Sequence, residues 1–330
     1  MPDLRLTFAI GDYLHTRALK TGEVKPEGIE LTVLTLPLET IAYRFLAAYE
    51  WEVSEFSFAT YCAMVANGDP PMVGLPVFPS RVFRHGSIFV RGDSPVKAAA
   101  DLKGKKVGVP QWTQTAVTYV RGFLQHDAGV PLTSIDWVQA GVNQAGRREM
   151  TTFDLPPGFK LRSVPDKTLG ELLVAGEIDA VISARPPNVF LDGRHGIRRL
   201  IPDYREQERQ YFQKTGIFPI MHLVVLRRDA YQANRWIARN LMEAFERAKR
   251  ACLPELTQGQ TSFLPTAWGN DHVEDTNRLL FGDDPWPYGI EGNRKTIEPF
   301  LAFCHEQGVT RRRLAVEELF PKEVSVELKI

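Results

Sequence analysis

The sequence predicts an α/β protein of two lobes, each a mostly parallel sheet flanked by helices, with two crossing strands and a ligand cleft between them. Three observations carry this. Short apolar strands alternate with amphipathic helices from residue 4 to residue 78. A second strand–helix unit begins near residue 92. The apolar run FPIMHLVVLRRD (218–229) then returns the chain to the first unit.

Each element has its own reason. LRLTFAI (4–10) alternates apolar residues as a strand does. GDYLHTRALKTG is a loop entering a short helix, and IELTVLTLP a second strand. LETIAYRFLAAY is an amphipathic helix, and WEVSEFSFATYCAMVANG a short strand, a turn and a helix stopped by glycine. MVGLPVF is a strand. In the second unit, KVGVP (106–110) is a strand and a helix starts between Thr113 and Ala116. TSIDWVQAG is the next strand. TLGELLVAGEIDAVISARPP reads as helix, strand and a proline-rich turn, and AYQANRWIARNLMEAFERAKRACL as one long helix. The crossings fall on 87–91 and 222–227. Lobe I is therefore expected over 1–90 and 222–330, and lobe II over 91–221.

Lys+Arg and Asp+Glu are 40 each, so the formal net charge is zero. That speaks against a nucleic-acid protein driven by a basic field. No run approaches the ~18 apolar residues of a membrane span. The start MPDLRLTFAIGDYLHTRAL lacks a secretory pattern, and Cys62, Cys252 and Cys304 form no zinc motif. A cytoplasmic protein acting on a small molecule is expected, and a homo-oligomer, with the Pro/Trp/Tyr-rich C-terminal third as the contact.

The segment GLPVFPSRVFRHGSIFV (74–90) places Arg81, Arg84 and His85 at the mouth of an apolar strand. Buried charge is costly unless paired. Either Glu52, Glu55 or Asp12 neutralises these groups, or they await an external anion. His222 opens the other crossing strand and is expected to approach His85 in the cleft, as a proton-moving pair. Thr113 and Thr115 stand where KVGVP runs into a helix N-terminus, a seat for a carboxylate as well as a cap. Trp112 beside them would stack on a ring or fill the core. Arg185 emerges after IDAVISA towards the cleft. Asp12, Glu55 and Ser57 stand at first-lobe strand ends, where they would hold a hydroxyl, orient a histidine or cap a helix. Trp286, Tyr288, Asn293 and Arg294, in DDPWPYGIEGNRKTIEPF, are read as structural or contact residues. His15, His126, His195, His272 and His305 have weaker positional arguments.

DLKGKKVGVP with the threonine-bearing helix start, and L-x-x-GEIDAVISARPP, resemble the type 2 periplasmic-binding-protein-like fold. SEFSFATY, PVFPSRVFRHGSIFV, FPIMH and FGDDPWPYGIEGNRKTIEPFLAFCHEQGVTRRRLAVEELF together resemble the 4,5-dihydroxyphthalate decarboxylase family. That resemblance implies a cytoplasmic enzyme on a binding-protein fold that takes one carboxylate from a dihydroxylated phthalate, giving protocatechuate and CO2. It also implies two carboxylates to be held, for which Arg81, Arg84 and Arg185 with Thr113 and Thr115 are the candidates. His85 and His222 would share the acid and base roles, oriented by Asp12 or Glu55. No cofactor is required on this reading. A divalent metal, if one is used, would fall to His85 and His222. The alternatives are a non-catalytic binding protein for an aromatic or dicarboxylic acid, and another lyase on this fold resembling the chorismate dehydratases.

Overall fold

The computed structural model describes residues 2–257, 265–282 and 284–325. Among these residues eleven strands form two sheets. The first contains β1 (Leu4–Ile10), β2 (Ile29–Thr35), β3 (Val53–Ser57), β4 (Met72–Arg81) and β11 (Ile220–Arg227), ordered β2-β1-β3-β11-β4. The second contains β5 (Ile88–Arg91), β6 (Lys106–Val109), β7 (Asp136–Gly141), β8 (Lys160–Thr168), β9 (Ala180–Ile182) and β10 (Ile197–Arg199), ordered β10-β5-β9-β6-β7-β8. Helices α1 (Arg17–Thr21), α2 (Leu38–Ala48) and α3 (Phe58–Asn67) belong to the first unit. Helices α4 (Thr115–His126), α5 (Leu169–Val174), α6 (Asn188–Leu191) and α7 (Tyr204–Thr215) follow in the second. Helices α8 (Arg228–Ala233), α9 (Ile237–Thr257), α10 (Gly269–Thr276) and α11 (Arg294–Glu306) close the described chain. Among the described residues no helix is long and apolar enough to cross a membrane.

Among the described residues both sheets are mostly parallel, as expected. β1 pairs in parallel with β2 and β3, and β6 with β7 and β9. One strand in each sheet runs against the rest, β11 in the first and β5 in the second. These are the strands through which the chain leaves or enters a lobe. The SIFV strand is not itself a crossing. β5 hydrogen-bonds within the second sheet, and β11 lies wholly in the first. The chain crosses through residues 82–87, and returns from β10 by way of α7.

One continuous cluster of buried apolar side chains includes Phe8, Phe45 and Phe56 of the first lobe and Val107, Trp112 and Trp137 of the second. The C-terminal part ties the lobes further. The Trp112 indole N–H donates to the Gln307 carbonyl at 2.8 Å, and Arg121 Nε donates to Gln307 Oε1 at 2.7 Å.

Candidate functional site

The site grows from strand register. In the antiparallel β11/β3 pair, His222 stands opposite Ser57. Glu55 lies two residues before Ser57, so all three side chains leave the sheet on one face. On the other side of β11, His222 stands opposite Ser80 of β4.

Glu55 is buried, yet every oxygen has a donor. Its Oε2 accepts the Gly11 N–H at 2.8 Å, and its Oε1 accepts the Tyr13 hydroxyl at 2.6 Å. His222 Nδ1 lies 2.7 Å from the same Oε1. A carboxylate only accepts, so this pairing places a proton on Nδ1 and leaves Nε2 for the cleft. The Glu55 side chain is 1% exposed and that of His222 22%, so the carboxylate is shut away while the imidazole is reachable. Burial and the adjacent Glu55 push the Tyr13 phenol far above its ordinary range, and it stays a donor.

The two lobes touch beside this pair. Ser57 Oγ, the N-cap of α3, lies 3.0 Å from Thr115 Oγ1, and the Ala59 N–H donates to Thr115 Oγ1 at 3.0 Å. Thr115 is the first residue of α4, so two helix N-termini converge next to His222. Their dipoles favour an anion there.

The expected cations fare differently. Arg84 reaches the Met221 sulfur with Nε at 3.2 Å and the Ala184 carbonyl with Nη1 at 3.1 Å. It makes no ion pair among the described residues, and burial pulls its guanidinium down to about 10, still cationic at neutral pH. Arg185 is an exposed side chain 3.5 Å from Glu39 of α2. Glu39 also receives Arg147 at 2.8 Å, so two second-lobe arginines converge on one first-lobe carboxylate.

Four expectations are corrected, and Trp112 takes the second of its two expected places. Arg81 is no anion anchor. It is buried, and its guanidinium donates to the carbonyls of Phe218 at 3.1 Å and Pro287 at 2.8 Å and to Asn293 Oδ1. It clasps the chain to the segment before α11. His85 does not meet His222. It turns towards α4 and α7, edge-on to Phe123 and Tyr211 at ring distances of 4.3 and 5.0 Å. Its Nδ1 has no hydrogen-bond partner among the described residues, Glu208 being 3.9 Å away, and burial lowers the imidazole to about 4. Trp112 is core, with the Arg121 guanidinium 3.6 Å from its ring centroid. The Thr113 hydroxyl is taken by Glu149 Oε2 at 2.6 Å, so the seat before α4 already holds an internal carboxylate. Asp12 is a solvated residue 3.3 Å from Lys20. The two histidines named for a metal are thus apart, and the described residues contain no cluster of three or more such ligands.

The C-terminal motif is structural as expected within its described part. Asn293 is buried against Arg81, the Trp286 indole donates to the Phe78 carbonyl at 2.8 Å, and Arg294 bonds Glu291, Glu298 and Glu317. Sequence reasoning missed Tyr13, Glu39, Arg147 and Glu149. Tyr13 carried a usable signal, since it stands three residues beyond a strand whose end faces the cleft. Arg147 and Glu149 lie in an irregular stretch with no periodicity to place them.

No family model matches the chain. A 4,5-dihydroxyphthalate decarboxylase of Comamonas testosteroni is 34% identical over 321 residues, which is 97% of each chain. Another protein of that name, from Pseudomonas putida, is 37% identical over 204 residues, 62% of this chain and 79% of its own. Among solved structures, the periplasmic aliphatic sulphonate binding protein SsuA from Escherichia coli aligns with a TM-score of 0.56 at 14% identity, covering 98% of this chain and 99% of its own. The Candida albicans CA3427 gene product, described as having the generic periplasmic binding protein fold, aligns at 0.55 with 12% identity, covering 100% and 99%. These structural likenesses establish the fold.

Proposed function

The chain belongs to the 4,5-dihydroxyphthalate decarboxylase family, and on that premise we propose that it is a carboxy-lyase acting on 4,5-dihydroxyphthalate or a close analogue, with protocatechuate and CO2 as products. The observation that carries the site assignment is the Glu55–His222 pair at 2.7 Å, buried at one end and open at the other.

The reaction replaces a ring carboxylate by a proton. The hydroxyl para to the departing group raises electron density at that ring carbon. His222 Nε2–H delivers its proton there, the bond to the carboxylate carbon breaks, its electron pair restores the aromatic ring and CO2 leaves. His222 then regains a proton from solvent. Glu55 balances the imidazolium charge and holds the ring in one tautomer, as a buried carboxylate does for a catalytic histidine. Arg84 supplies a cation for a substrate carboxylate, and Ser57, Thr115 and the two helix N-termini stand beside His222 to receive an anion. Arg185 and Arg147 meet at Glu39, with which a second carboxylate would compete. Ring loss of CO2 is also favoured by a site that sheds water from the carboxylate.

The reading places the enzyme in the cytoplasm as a homo-oligomer, without a required cofactor. Incubation with 4,5-dihydroxyphthalate, with and without a chelator, tests it by following CO2 and protocatechuate. Both should appear at equal rates in the two arms. Binding without CO2 release would make the chain a binding protein, and release of water would make it a dehydratase.

A further inference from the structure

Tyr13 stands between β1 and the helical turn Leu14–Thr16. Its hydroxyl and His222 Nδ1 address the same atom, Glu55 Oε1, at 2.6 and 2.7 Å. That oxygen has two lone pairs, and both are engaged. Each donor draws density from it, so each weakens the oxygen's hold on the other. The approach is close-fitted. A Cβ at Gly11 would lie 3.0 Å from the Tyr13 ring and 3.3 Å from Glu55 Oε2, so a side chain there would press on both.

We propose that Tyr13 is a positioning residue for the proton transfer: it locks the Glu55 carboxylate and limits how strongly that carboxylate draws the Nδ1 proton of His222, and so sets the pH at which Nε2 gives up its proton. The inference rests on the reading of His222 as the proton donor. Other ionisable groups stand around the pair. His15, from the same loop, is held down at about 4 by burial and is neutral. Lys249 of α9 is ion-paired with Glu246 and Asp284, and burial pushes the Tyr288 phenol above its ordinary range. Arg84, beside Met221, remains a cation.

The test is Tyr13→Phe, read by the NMR titration of His222 in the ligand-free protein and by the pH profile of kcat/KM. A hydrogen bond to a charged acceptor is strong enough that its loss should raise the His222 midpoint by about half a unit to one unit. The profile should follow, with kcat down about tenfold and KM within about threefold. In a Glu55→Gln background, Tyr13→Phe should move the midpoint no further. Should Tyr13→Phe fail to fold, 3-fluorotyrosine at position 13, a stronger donor, should move the midpoint down. An unmoved midpoint in a folded variant would overturn the inference. A shifted midpoint in a protein that releases no CO2 would leave the role of Tyr13 standing and remove the decarboxylase reading.

Discussion

Replacing His85 by phenylalanine separates packing from catalysis. His85 is buried, neutral and against two aromatic rings, and its Nδ1 has no partner among the described residues. Burial holds its imidazole at about 4, against 6.5 in the unfolded chain. Between those values the unfolded chain binds a proton that the folded chain does not. Stability therefore falls as pH drops through that window. At pH 5 the loss from this one group is about 2 kcal/mol, and below pH 4 it approaches about 3 kcal/mol. His85→Phe abolishes that term. It also removes an orphaned polar atom worth about 1–3 kcal/mol, offset by about 1–3 kcal/mol of crowding from the larger ring. At pH 7.5 the variant should lie within about 1 kcal/mol of wild type, with turnover within about threefold. At pH 5 it should gain about 2 kcal/mol on wild type. Urea unfolding at the two pH values measures the gap. A gap independent of pH would refute the buried neutral assignment, and a folded variant slowed more than about a hundredfold would make His85 catalytic after all.

Three further outcomes follow from the same geometry. Arg84→Gln should raise KM for a dicarboxylate at least tenfold or so while changing kcat little, because its guanidinium has no ion pair among the described residues; titration calorimetry with the substrate reads this directly. Arg81→Met should leave the Phe218 carbonyl and Asn293 Oδ1 without their donor, take one of two donors from the Pro287 carbonyl, and cost roughly 3 kcal/mol or more, seen as a lowered melting temperature. Asp12→Asn should leave turnover and stability nearly unchanged, since its ion pair with Lys20 is exposed; steady-state kinetics showing a large loss would return Asp12 to the site.

Much of the fold was legible because buried strands announce themselves. LRLTFAI, predicted as a strand, is β1 to the residue, and the helix expected between Thr113 and Ala116 begins at Thr115. The elements missed had little apolar pattern to show. β8 is largely exposed and carries Pro165, β10 has three residues, and α7 buries none of its side chains. The long helix expected from Ala230 is broken at Asn234 into α8 and α9. Missing α7 had a consequence at the site. Without it, nothing in the sequence showed where His85 would turn, and its nearness to an apolar strand suggested the cleft. Glu55 and His222 were legible because both stand on strands near the lobe junction, where alternation fixes which way they face. The division between Arg81 and Arg84 was not legible, because it depends on carbonyls a hundred or more residues away. Glu149 was hidden for a like reason, arriving from an irregular stretch to fill the seat at Thr113.

The account turns on His222, held by Glu55, as the group that protonates the ring. A single-turnover measurement on His222→Gln, with 4,5-dihydroxyphthalate pre-bound and CO2 followed in time, tests this most directly. Affinity should stay within about tenfold of wild type while CO2 release slows by roughly a thousandfold. CO2 released at close to the wild-type rate would contradict the account.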